Sequence, residues 1–174
     1  MENKKKEVIN SVKEWVICIL IAFVIAFLVN KFLIYKVKVP TGSMIPTINE
    51  QDQLFVTRVY NCEKLKTGDI VVFYSEENKD TYIKRLIGRP GDTVVINHGT
   101  VSVNGKELKE DYVKNNEDFS GTYEVPKGKY FFLGDNRADS YDSRKWVNPY
   151  VDEDDIEAKA LIRVYPFNNI GFLK

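Results

Sequence analysis

The chain has 174 residues, 44% of them apolar and 29% charged, with 25 basic and 25 acidic side chains. That composition excludes a disordered or collagen-like chain, and the charge balance supplies no basic excess for coating nucleic acid. One histidine (His98) and two cysteines (Cys18, Cys62) are too few for a His/Cys zinc site. The cysteines offer no disulfide framework either, because one lies in an apolar run and the other in the polar body.

The first predicted element is an apolar helix. Trp15–Val29 (WVICILIAFVIAFLV) carries no charged side chain, and after Asn30 and Lys31 the run continues to Tyr35. Residues 15–35 are long enough as a helix to cross a hydrocarbon core of roughly 30 Å. Bulky residues follow the run where a cleavable signal peptide needs a small-x-small site, which favours a retained anchor. Lys4, Lys5, Lys6 and Lys13 precede the span and Lys36 and Lys38 follow it. The bias places residues 1–14 in the cytoplasm and residues 36–174 outside it, in a single-pass protein of the cell membrane.

Beyond the anchor the pattern is that of strands. Gln53–Tyr60, Ile70–Tyr74 and Thr81–Ile87 are rich in β-branched and aromatic residues, and the third puts Tyr82, Lys84 and Leu86 on one face. Thr93–Asn97, Thr100–Val103 and Lys106–Leu108 read as a meander, with His98-Gly99 and Asn104-Gly105 as its turns. His98 therefore falls at a hairpin tip, a poor place for a catalytic base. Further strands are expected at Lys129–Leu133 and Ala158–Tyr165, and the acidic stretches 107–118 and 152–155 read as solvated loops. The fold class read from the residues is thus mostly β: a transmembrane helix, then a sheet domain.

Without a usable histidine or metal cluster, a hydrolase needs another way to activate a nucleophile, and serine with a lysine base is one. Ser43 lies in Pro40–Thr47 (PTGSMIPT), where Gly42 permits close approach and two prolines restrict the loop. The plain alternative is a serine in a turn. Lys84 shares its strand face with Tyr82 and Leu86, and an apolar setting favours the neutral amine that a base requires. A third group, Gly134–Arg144 (GDNRADSYDSR), packs two arginines, three aspartates and two serines behind an apolar strand. Its plain reading is a polar turn, its alternative a buried ion-pair network.

Together PTGSMIPT, Lys84–Asp92 (KRLIGRPGD), Gly134–Arg144 and Gly68–Phe73 (GDIVVF) resemble the signature boxes of bacterial type I signal peptidases, in the same order. The chain is most similar in layout to the compact, single-anchor enzymes of Gram-positive bacteria. The resemblance implies Ser43 as nucleophile and Lys84 as general base. It implies the Ser43 N–H and the Thr41 hydroxyl as oxyanion-hole donors, and Ser140 as the residue that orients the lysine. Asp142 and Arg144 become structural ion-pair partners, with Arg85 in their network. It also implies a mostly β fold, an antiparallel β-sheet catalytic domain with a small β insertion at about 93–129.

The expected activity is a membrane-anchored serine endopeptidase that cleaves N-terminal signal peptides from exported preproteins. Shallow pockets lined by Val37, Val39, Met44, Ile48, Tyr82 and Ile83 would admit small residues at the first and third positions before the cut. The expected partners are those preproteins, the lipid bilayer and a nearby export translocase, with no nucleic acid, no metal and no cofactor. Two rivals use the same features. A self-cleaving Ser–Lys regulator is disfavoured because a membrane span, not a helix-turn-helix, precedes the β body. A non-catalytic anchored β domain would not need Ser43, Lys84 and Ser140 together.

Overall fold

In a computed structural model, residues 2–173 are described, with the side chains of 13–29 and 31–173. The chain divides into two compact units, Met1–Tyr35 and Lys36–Lys174. The first contains helix α1 (Glu2–Phe32). Its apolar side chains among the described ones are exposed, as at Trp15, Phe23 and Phe27. Among the described residues no helix is both long and apolar enough to cross a membrane. Lys4, Lys5 and Lys6, on which the orientation reading draws, lie outside the described side chains, as do most of residues 1–14 and Asn30. The helix also stops short of the expected boundary. Ile34 and Tyr35 open strand β1 (Ile34–Lys38) instead, where apolar and lysine residues alternate in the period of a strand.

The second unit is mostly antiparallel β. Strands β2 (Gln53–Arg58), β3 (Ile70–Ser75), β4 (Asp80–Gly88), β9 (Lys129–Leu133), β10 (Val151–Asp152), β11 (Ile156–Tyr165) and β12 (Gly171–Phe172) join β1 in an eight-stranded sheet. The order is β1-β2-β11-β3-β4-β9-β10, with β12 also on β11. A second sheet holds β5 (Thr93–Asn97), β6 (Thr100–Val103), β7 (Lys106–Glu107) and β8 (Gly121–Glu124) in the order β7-β6-β5-β8. Its two tight turns take positive φ at His98 and Gly99 and at Asn104 and Gly105, the geometry that Asn-Gly favours.

Strand alternation builds two cores. From β4 and β9, Leu86 and Phe132 point into a cluster with Val71, Phe73, Tyr130 and Trp146. Their neighbours Ile87, Phe131 and Leu133 point into the other, with Val94, Ile96 and Val101 of the smaller sheet. β4 is therefore buried on both faces over its second half. Lys84 has the parity of Leu86 and Arg85 that of Ile87, so a lysine and an arginine are carried into the interior on opposite faces.

Candidate active site

Ser43 lies in the turn between β1 and β2, held by Ile45 N–H donating to Gly42 O (3.1 Å) and Ile48 N–H to Met44 O (2.9 Å). Strand β4 delivers Lys84 to it. Lys84 Nζ is 2.6 Å from Ser43 Oγ, both residues are buried, and the ammonium sits 5.3 Å from the centre of the Tyr82 ring. Burial pushes the Lys84 amine down from 10.5 to about 8, against the opposing pull of Asp142 and then Asp135. A lysine at about 8 has a substantial neutral fraction near neutrality, unlike a free one.

The pair opens on a cleft of about 460 Å³ lined by Thr41, Gly42 and Ser43 on one side and Tyr82, Lys84 and Asn136 on the other. Ile45, Glu50, Asp139 and Tyr141 also line it. A second cleft, of about 310 Å³, is lined by Val37, Val39, Tyr82 and Ile83, with Val72 and Thr81. Tyr82 borders both. Four of the six residues expected to meet substrate thus line a cleft that shares Tyr82 with the cleft at the serine. Met44 and Ile48 do not: both are wholly buried. The turn closed by the Ile48–Met44 bond puts residues four apart on one side, and that side is the interior.

In the ion-pair network, Asp142 and Arg144 pair with each other, while Arg85 takes a partner outside that pair. Asp142, fully buried, accepts from Arg144 Nε (2.8 Å) and a terminal guanidinium nitrogen (2.9 Å) and from Gly134 N–H (3.0 Å). Arg144 also reaches Glu117 Oε2 at 2.9 Å and Arg137 O at 2.6 Å. Arg85, expected in this network, instead makes a bidentate pair with Asp135 at 2.8 and 2.7 Å. The β4–β9 register sets Arg85 opposite Leu133, two residues before Asp135, which decides the partner. Asp135 also accepts from Thr47 Oγ1 (2.5 Å), tying the serine turn to this layer, and Arg85 stacks 3.8 Å from the Tyr112 ring. Arg137 is held by Glu110 at 2.6 and 3.1 Å. Sequence reasoning included Asp135 and Arg137 in the Gly134–Arg144 group without assigning their partners, and it missed Glu110 and Tyr112, because these pairings are long-range.

Ser140 differs from expectation. Its Oγ is buried without a hydrogen-bond partner among the described residues, and Lys84 is bonded to Ser43 alone. Ser140 packs instead against Gly134, where an added Cβ would collide with Ser140 Oγ and with the Ser43 carbonyl oxygen. Only glycine lets these backbones approach so closely. His98 is exposed, 2.8 Å from Asp118 at the hairpin tip. Cys18 and Cys62 are free thiols. Among the described residues no cluster of His, Cys, Asp and Glu could hold a metal ion.

A mostly antiparallel β domain thus sets a serine and a buried lysine 2.6 Å apart at an open cleft. The chain belongs to the signal peptidase family, peptidase S26, whose family model matches residues 12–165. It is a serine peptidase of the signal peptidase I class. It is 38% identical to signal peptidase I T of Bacillus subtilis (strain 168), over 97% of this chain and 93% of that protein. It is 39% identical to signal peptidase IB of Staphylococcus aureus (strain COL), over 94% of this chain and 93% of that protein. Among solved structures, a signal peptidase I from Enterococcus faecalis V583 superposes with a TM-score of 0.50 at 36% identity, covering 55% of this chain and 96% of that one.

Proposed function

We propose that this chain cleaves signal peptides from exported preproteins with Ser43 as nucleophile and Lys84 as general base. The observation that carries the reading is the 2.6 Å contact between a buried lysine and a serine at the floor of a cleft. In the ammonium form Nζ donates to Oγ. Once Nζ is neutral the same contact runs the other way, and Nζ takes the Oγ proton as the serine attacks the scissile carbonyl. The carbonyl π pair moves onto oxygen, the tetrahedral adduct collapses, and the protonated amine returns its proton to the leaving amine. Water, deprotonated by the same amine, then releases the acyl group. The Ser43 N–H and Thr41 Oγ1 receive the oxyanion. The apolar cleft lined by Val37, Val39, Tyr82 and Ile83 takes the small side chains before the cut.

The proposal extends to a single-pass anchor with a cytoplasmic N-terminus and an extracytoplasmic catalytic domain. Its support is the uncharged run Trp15–Val29, exposed along helix α1, and the lysines before it. Sharing a bilayer with the preprotein raises the effective concentration of the cleavage point. Protease added to intact spheroplasts should then digest the C-terminal domain and spare an N-terminal tag; the reverse would invert the topology.

The chemical reading is tested with the purified full chain in detergent micelles and a preprotein ending its signal in Ala-x-Ala. Ser43→Ala should abolish cleavage with an unchanged thermal transition, and normal processing by it would remove Ser43 from the reaction. Thr41→Ala should lose about 10²–10³ in kcat if its hydroxyl receives the oxyanion. An unchanged rate would exclude that hydroxyl.

A further inference from the structure

A trans peptide points its C=O and the following N–H in opposite directions, so whatever holds the carbonyl aims the N–H. The Gly42–Ser43 peptide is trans. Its carbonyl accepts twice, from Ile45 N–H at 3.1 Å and from Asn136 Nδ2 at 3.0 Å. The Ser43 N–H on the other side makes no hydrogen bond among the described residues. Asn136 grips the next peptide as well, since its own N–H donates to Ser43 O at 3.1 Å. It is buried and lines the Ser43 cleft.

The sense of the Asn136 amide is fixed from outside. Its Oδ1 accepts from Asn115 Nδ2 at 2.7 Å, and the same Nδ2 reaches Asp139 Oδ2 at 3.2 Å. Asn115 is itself tied back by Ala138 N–H donating to Asn115 O at 3.1 Å. A flipped Asn136 amide would face Gly42 O with an oxygen and Asn115 with an NH₂, losing both bonds at once.

We propose that Asn136 is a positioning residue for cleavage, holding the Gly42 carbonyl so that the Ser43 N–H meets the developing oxyanion, and that Asn115 locks Asn136 in that sense. The inference rests on the reading of Ser43 as nucleophile. It adds a relay that begins on the loop between β7 and β8, far in sequence from the serine turn.

Losing alignment of a donor within the site is expected to cost about 10–100-fold in kcat. The test uses the full chain in detergent micelles, the same preprotein, and an alanine-terminated peptide aldehyde whose hemiacetal oxygen occupies the oxyanion position. Asn136→Ala should lower kcat by that factor with KM within about twofold. Its affinity for the aldehyde should fall in proportion, and the midpoint of its acidic pH limb should stay that of the parent. Asn115 is exposed, which makes it the control against misfolding. Asn115→Asp would accept from the Asn136 NH₂ and hold it flipped, so it should lose more kcat than Asn115→Ala. Asn136→Ala with parental kcat, or Asn115→Asp no worse than Asn115→Ala, overturns the proposal. Ser43→Ala in the same assay separates the two levels. Turnover by it defeats the nucleophile reading and this inference together, whereas a dead Ser43→Ala beside a fully active Asn136→Ala defeats this inference alone.

Discussion

Lys84→Met is expected to abolish turnover and yet to stabilise the fold at neutral pH. The folded chain holds this amine at about 8, against 10.5 for a free lysine. Between those values the unfolded chain binds a proton that the folded chain does not, so stability rises with pH across that window. Below pH 8 the whole cost of keeping a buried ammonium is present, and above 10.5 none of it is. The separation corresponds to about 3 kcal/mol at pH 7, less whatever is lost with the 2.6 Å bond to Ser43. Thermal or urea unfolding should therefore find Lys84→Met more stable than the parent at pH 7, with the gap closing towards pH 10.5. A destabilised variant at pH 7 would mean that burial does not strain this lysine.

With Lys84 as the proposed base, the same value should set the rate. With a base that titrates at about 8, kcat/KM should fall about tenfold for each unit below the midpoint and level off above it. His98 is exposed at a hairpin tip, so His98→Ala should leave the limb in place. Lys84→Arg should be inactive at every usable pH, because a guanidinium keeps its proton. Turnover by that variant would remove Lys84 from the role of base.

How much of this was legible depended on the range of the interaction. The long strands and the two tight turns of the second sheet follow from local residue choice, as does the parity that carries Lys84 inward beside Leu86. β8, β10 and β12 were not legible: β6 and β7, just as short, are marked by the tight turns before them, whereas these three follow loops and become strands only by pairing. The serine turn and the lysine strand could be singled out by motif. The direction of Met44 and Ile48 could not, since an apolar residue beside a nucleophile can face substrate or core with equal ease. Arg85 shows the limit most clearly. Asp142 and Arg144 are two residues apart and pair almost by adjacency, whereas the partner of Arg85 is decided by the β4–β9 register, 50 residues away. Asn115 sat in a stretch that reads as a solvated loop, and nothing local marks it as a lock on Asn136.

The second large effect is expected at Asp142. It is fully buried, accepts two bonds from the Arg144 guanidinium and another from Gly134 N–H, and is the foremost influence holding the Lys84 amine up against burial. Asp142→Asn keeps the shape and removes the charge. Arg144 then keeps Glu117 and the Arg137 carbonyl but loses its buried counter-ion, and breaking one side of such a pair costs about 3–5 kcal/mol. Chemistry should move the other way. With the leading upward influence gone, the Lys84 midpoint drops below 8, so the acidic limb shifts to lower pH and each molecule that remains folded carries more neutral amine at pH 7. A lowered thermal transition together with that displaced limb would place Asp142 as a structural anion whose field reaches the base. A full-strength transition with turnover lost at all pH values would put Asp142 in the reaction itself, and an unmoved limb would show that its charge does not reach Lys84.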